Sequence, residues 1–406
     1  MKVIKAKTKN KLLVLILVSM AISPAITLGE GNRNLLLIGV MVISPFIILR
    51  HFKFDNMDLL LLLFLVTLII FPLTNHPESM RWSTVMYSAM FGLTFIAYKQ
   101  LLSQKYFTII NYIKLLKYLI YAYFAVLLIQ QFCVLAGLPI LNVSNYNPNY
   151  PWKLNSLAAE PSHSARIVAL LMYSYIISKE KLLNRSYNPK KDITNDKWVW
   201  IAFIWTIFTM GSSTAFLFIS IVLLKFIRFR NLIPLLIGFG ISVLIINNTG
   251  TEEFERAAKT ISATLTLDEP TIIEADHSAS IRIVPILILV KIVTIKTLDG
   301  WFGHGTDYVS TFLSDYLPGV SDGISGGGLF QLWIEYGFIS FFLFLIFSFK
   351  SIFKKLALLN ILFWILLVFM YGINNQIVWL CIILLFTNNY FSTKSFNKKK
   401  YSNDNT

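Results

Sequence analysis

The sequence predicts an all-α, polytopic integral membrane protein with about twelve transmembrane helices and one large external loop. Three observations predict it. Hydrophobic residues make up 56% of the 406 positions and charged residues 14%, whereas a soluble domain carries about 25% charged residues. The apolar residues gather in runs such as Leu12–Leu28, Met57–Leu73, Tyr118–Leu138 and Leu329–Phe349, long enough to cross a hydrocarbon core about 30 Å thick. The basic residues then concentrate in every second connecting segment, on one of the two sides that these runs define.

Taken in order, spans are expected near 12–28, 34–49, 57–73, 82–98, 118–138, 162–178, 198–211, 213–227, 232–247, 329–349, 356–372 and 376–391. The first follows the basic stretch Lys2 to Lys11 and has no A-x-A-type cleavage site, so it reads as an uncleaved span rather than a signal peptide. The seventh and eighth are short and meet at Gly211-Ser212-Ser213. With both termini cytoplasmic, nine of the 36 Lys and Arg fall outside: Arg33, Arg81, Lys153, Arg166, Arg256, Lys259, Arg282, Lys291 and Lys296. The remainder lie in the cytoplasmic segments, as the positive-inside rule requires of an even number of spans. The same rule accounts for the net charge of +15, so no nucleic-acid partner is implied. Cys133 and Cys381 lie in apolar runs without zinc or redox spacing.

The chain thus divides into residues 1–247 with about nine membrane helices, a large periplasmic or extracellular loop over 248–328, three C-terminal helices over 329–391 and a basic cytoplasmic tail over 392–406. The tail suits an orientation signal or a contact with anionic membrane lipid. The loop holds eleven Asp and Glu against five Lys and Arg, opposite in sign to the cytoplasmic segments. Its apolar stretch Ile281 to Val293 reads as a helix on or dipping into the membrane, or as an additional hairpin, with Pro285 suited to a first turn or a kink.

Four stretches carry polar groups that chemistry can use. Glu160, His163 and Arg166 recur at i, i+3 spacing at the outer mouth of the sixth span and can share one helix face; an interfacial helix start with Pro161 gives the same pattern. Gly211 to Ala215 suits close packing of membrane helices. At the end of the large loop, glycines flank His304 and Asp307 follows. A histidine there can act as a general base near neutral pH, or be polar surface. His277 beside Asp276 is a second such pair. Finally, the Gly-rich entry Asp322 to Gly328 leads into a span that carries Glu335, an intramembrane carboxylate and hence a functional candidate. No phosphate loop or H-E-x-x-H is present, and Asp55 and Asp58 fall on the inner side.

The order of these features resembles the O-antigen ligase and polymerase superfamily. The resemblance lies in many spans, Glu160-Pro161-Ser162 before a middle span, a Ser-rich membrane turn, and a large external loop carrying Arg282, the Gly303-His304-Gly305 turn and Leu329 to Glu335 with Gly337. It implies a GT-C-like membrane glycosyltransferase. The ligases' His-Asn pair falls here on Gly326-Gly327, and their S-R-T turn reads Ser212-Ser213-Thr214. These departures favour a polymerase of O-antigen or exopolysaccharide repeat units. The resemblance implies that a glycan on undecaprenyl diphosphate moves onto a second undecaprenyl-diphosphate-linked unit at the bacterial inner membrane, with a flippase and a chain-length regulator as further partners. For that reaction the expected catalytic residues are His304, Glu160 and Arg282. The expected substrate-binding residues are Arg166, His163, Arg256, Lys153, Asp307 and Glu335. Guanidinium groups suit the leaving diphosphate, and no metal or cofactor is required. Trp152, Tyr146, Tyr150 and Trp301 suit a sugar path or interfacial anchoring. An O-antigen ligase, a lipid-linked-sugar flippase or transporter, and a non-enzymatic assembly subunit remain open. No internal repeat supports a carrier with two matching halves.

Overall fold

The computed structural model describes residues 2–23, 27–28, 31–32, 34–51, 53–142, 146–210, 212–226, 259, 262–275, 277–316 and 326–393. The expected ninth span, Arg256, Gly211, Asp276, the 317–325 approach to the last helices and the tail beyond 393 lie outside them, as do the side chains of His277 and Arg282. Among the described residues the only strand pairing is the hairpin of Thr27–Leu28 with Gly31–Asn32.

Everything else regular is helical. The first half comprises α1 (Lys2–Ala21), α2 (Leu35–His51), α3 (Asn56–Asn75), α4 (Trp82–Ser103), α5 (Ile109–Ala136), α6 (Pro161–Leu183), α7 (Pro189–Asn195), α8 (Lys197–Thr209) and α9 (Ser213–Leu224). The large loop contributes α10 (Glu269–Ala275), α11 (His277–Ile292), α12 (Leu298–Phe302) and α13 (Tyr308–Tyr316). The C-terminal helices are α14 (Leu329–Ile352), α15 (Leu358–Trp364), which runs on into a π turn over Ile365–Phe369, and α16 (Gln376–Thr393).

Three of these, α3, α5 and α14, are long and apolar enough to cross a membrane, and α2, α8, α9, α15 and α16 are shorter apolar helices. Only 39% of the apolar window of α3 is buried inside the protein. Its outward residues Leu59, Leu63, Val66 and Ile70 are exposed, as are Phe46 and Leu49 on α2 and Phe132 and Leu135 on α5. A helix apolar on every side needs an apolar surrounding, so the fold is compatible with a membrane protein.

Helix ends follow local chemistry. Asp55 caps α3, accepting the N–H groups of Met57 and Asp58, while Asp58 reaches back to the Asp55 N–H; Lys99 pairs with both carboxylates. Thr108 caps α5, and Gly137 ends it in the left-handed conformation. Several boundaries differ from the sequence expectation, two of them with a plain local cause. The first helix ends at Ala21, short of Leu28, because Pro24 disfavours helical geometry in the residue before it. The fifth starts at Ile109 rather than 118. Lys114 and Lys117 interrupt the uniform apolar run there, but Ile109, Tyr112, Ile113 and Leu116 recur on one buried face. Pro285, expected in a first turn or at a kink, sits inside α11.

Packing pairs α3 with α14, α2 with α4 and α5 with α6, while α16 runs between α6, α14, α4 and α1. Trp379 of α16 is fully buried against Phe91, Phe344 and Phe347. The large loop has a small core of its own, formed by Ala263, Ile272, Val284, Ile288, Leu289, Val309 and Leu313, and it closes onto Ile334 of α14.

One irregularity positions the candidate site. At Gly337, α14 leaves helical geometry, with φ 83° and ψ 166°. The carbonyls of Ile334 and Glu335 instead accept the N–H groups of His304 (2.8 Å) and Gly305 (3.2 Å). A Cβ on Gly303 would overlap the Glu335 carbonyl, and one on Gly337 would overlap that of Trp301. Both glycines have positive φ, so they admit this backbone-to-backbone approach where other residues would be strained.

Candidate active site

The turn 303–305 brings His304 against the end of α3 and against α14, beside residues of its own loop. The Nδ1 of its imidazole faces Asp299 Oδ2 at 3.8 Å. The other oxygen, Asp299 Oδ1, accepts the Asn75 amide at 2.8 Å and lies 3.2 Å from His76 Nε2. Asn75 also donates to the Gly303 carbonyl at 2.7 Å, and His76 Nδ1 faces Glu78 at 3.2 Å. The His304 ring stacks on Tyr308 at 4.6 Å and lies nearly parallel to His76 at 6.5 Å. Tyr308 in turn stacks on Phe312. His304 is therefore held at its backbone and against the Tyr308 ring, with the Asp299 carboxylate facing Nδ1.

Electrostatics follow from these neighbours. Burial pushes His304 below the ordinary imidazole value; the Asp299 carboxylate works against that shift and His76 adds to it. Burial alone would raise Asp299, but hydrogen bonds from Asn75 and His76 and the two nearby imidazoles hold it below its usual value. At neutral pH the arrangement is an ionised carboxylate facing Nδ1 of a mostly neutral histidine. With Nδ1 protonated toward Asp299, Nε2 is the nitrogen able to take a proton.

Asp307 adopts a left-handed backbone conformation, φ 64°. Its carboxylate accepts the Arg81 guanidinium at 2.8 Å, with Thr84 at 3.5 Å. Glu335 is buried and turned inward. It accepts the Val309 N–H at 3.3 Å and the Gln331 amide at 3.0 Å, so it satisfies the free start of α13. That placement ties the Glu335 carboxylate to the scaffold beneath the His304 turn.

The second expected group sits at the head of α6. Glu160 is its N-cap residue and half exposed, with His163 Nε2 at 3.9 Å and the Ser162 hydroxyl at 3.2 Å. The preceding segment is pinned by Gln130 of α5. Its amide donates to the carbonyl of Leu141 (2.7 Å), and its carbonyl accepts the Ser156 N–H (2.8 Å). Arg166 is buried, its guanidinium 4.8 Å from the Tyr371 ring centre, a cation–π arrangement. Lys153 lies over Tyr150 at 4.4 Å. Tyr146, Tyr150 and Trp152 are exposed.

The structure thus gathers His304 and Asp307 near one another and Glu160, His163 and Arg166 near one another. Gln331 lies between the groups, bonded to Glu335 and close to Gly372, the neighbour of Tyr371. Arg256, His277 and the Arg282 side chain belong to the parts outside the described residues. Sequence reasoning passed over Asn75, His76, Asp299, Tyr308 and Tyr371. The charge topology held one usable signal: it put 74–81 and 299–308 on the same side, the first carrying a histidine and the second an Asp beside another. Among the described residues no group of three or more His, Cys, Asp or Glu is arranged to hold a metal. No protein-family model, no curated protein and no solved structure matches the chain.

Proposed function

We propose that the chain is a polymerase of lipid-linked oligosaccharide repeat units, acting on the outer face of a bacterial cytoplasmic membrane that it crosses about twelve times in a GT-C-like arrangement. The growing glycan on undecaprenyl diphosphate is the donor, and a single repeat unit on a second undecaprenyl diphosphate is the acceptor. An acceptor hydroxyl gives its proton to His304 Nε2 as its oxygen bonds to the anomeric carbon of the donor. The bond from that carbon to the diphosphate oxygen breaks, and undecaprenyl diphosphate leaves with the electron pair.

The observation that carries this reading is the His304 turn. A neutral imidazole with a carboxylate at Nδ1 is docked on a break in an apolar helix long enough to cross a membrane. General bases of this kind supply about 10²–10⁴-fold in rate. Charge on the departing diphosphate needs fixed cations in a water-poor site. Arg166, buried at the head of α6 with its guanidinium over the Tyr371 ring, suits that need, with Arg282 as its expected companion. Glu160 and His163 sit beside Arg166 and line the approach. Exposed Tyr150 and Trp152 suit contact with sugar rings.

The test is the length distribution of surface and lipid-linked glycan in a strain lacking the chain. Glycan stalled at one repeat unit is the expected result. Long glycan accumulating on undecaprenyl diphosphate would instead make the chain a ligase, and a normal ladder would overturn glycan assembly altogether.

A further inference from the structure

We infer that His76 is a positioning residue for His304, acting through the Asp299 carboxylate. The inference rests on the reading of His304 as the general base.

The geometry is a chain of contacts in which each member fixes the next. His76 and Asn75 close the C-terminal end of α3, and both point at one oxygen, Asp299 Oδ1 (3.2 and 2.8 Å). A carboxylate held at one oxygen by two partners presents the other in a fixed direction. That other oxygen, Oδ2, is the one facing His304 Nδ1. His76 is itself held: its N–H donates to the Pro72 carbonyl at 3.0 Å, and its Nδ1 faces Glu78. Its ring lies within 17° of the plane of the His304 ring.

A second set of contacts leads to the same place. The His304 backbone hangs from Ile334 and Glu335 of α14, and α14 is the helix that packs along α3. The backbone of the base and the carboxylate that orients its ring are therefore both referenced to the α3–α14 pair. A polar helix end needs neither of two adjacent side chains to converge on one carboxylate oxygen from a loop more than 200 residues away. A base turned by about 1 Å loses roughly 100-fold in rate while the substrate still binds.

The experiment uses the full chain in phospholipid vesicles, with lipid-linked glycan extracted from a strain lacking it as the probe. Turnover and KM are measured for wild type, His76→Ala, His76→Gln and His304→Ala. For His76→Ala, kcat is expected to fall about 100-fold with KM within about twofold. His76→Gln, whose amide can donate to Asp299, is expected to recover most of the rate. His76→Ala with wild-type kcat beside an inactive His304→Ala would overturn the inference and leave the base assignment standing. An active His304→Ala would overturn the base assignment instead. A readout independent of turnover keeps the two apart: the rate at which diethyl pyrocarbonate modifies His304, followed by peptide mass spectrometry. His76→Ala is expected to change that rate about threefold or more, with His76→Gln near wild type. An unchanged rate overturns the positioning role whatever the reaction proves to be.

Discussion

The backbone N–H of His304 donates to the carbonyl of Ile334 at 2.8 Å. This bond exists because α14 breaks at Gly337 and no longer uses that carbonyl within the helix. The candidate base is thus carried by the broken helix rather than by its own loop, and substitutions at either end of the pairing have distinct expected signatures.

Replacing His304 removes the group assigned to take the acceptor proton. His304→Ala is expected to lower polymerisation by about 10²–10⁴-fold while the protein remains in the membrane at its normal level. Glycan gel ladders with a parallel immunoblot check this. A full-length ladder would remove His304 from the reaction.

The pH profile carries a sign. In the proposed reaction His304 acts in its neutral form, so the rate is expected to be lost as pH falls through its pKa, which lies below the ordinary 6.5. Asp299 stays ionised across that window because it is held low. In Asp299→Asn the one neighbour that raises His304 is gone. The acid limb should therefore move to lower pH while the maximal rate falls. An acid limb that moves upward would contradict the arrangement.

Glu335 separates scaffold from substrate contact. Glu335→Gln keeps an oxygen for the Val309 N–H and is expected to retain activity. Glu335→Ala leaves that N–H and the Gln331 amide unsatisfied, at roughly 1–3 kcal/mol for each buried group. Thermal unfolding in detergent together with turnover reads both effects. An inactive but stable Glu335→Gln would instead place the charge in the reaction.

Gly337→Ala and Gly303→Ala each force a Cβ into a carbonyl oxygen at positive φ. Strain of this kind costs about 1–3 kcal/mol before the overlap is counted. Both variants should show a lower melting temperature, whereas Gly39→Ala, inside α2 where a Cβ meets nothing, should not.

Arg166 is expected to need its plane as well as its charge. Arg166→Lys keeps the cation but replaces the planar guanidinium that lies over the Tyr371 ring. Its turnover should fall on the order of tenfold, and Arg166→Ala should fall further. A lysine variant with wild-type kinetics would reduce the role to charge alone.

Much of the helical layout was legible because long apolar runs have few alternative structures. Leu35–His51, Asn56–Asn75 and Gln376–Thr393 fall close to where those runs lie. Amphipathic beginnings were not legible by that criterion, as the early start of α5 shows. At the site, the Gly-His-Gly spacing marked His304 as special, and the i, i+3 pattern put His163 beside Glu160. His76 gave no local signal: its role depends on a carboxylate 223 residues away, and a single sequence does not encode such pairings in any pattern of period or spacing. Glu335 was visible as a rare intramembrane carboxylate, but its inward bonds to Val309 and Gln331 exist only in the folded chain.

The break in α14 also sets a depth. From Phe338 to Ile352 the helix rises only about 22 Å, less than the ~30 Å thickness of a hydrocarbon slab. A bilayer spanned by the whole of α14 would admit the docked turn below its surface, and one spanned by this part alone would thin there. With the turn below the surface, the proposed reaction would favour partners already tethered in the lipid over solutes arriving from water.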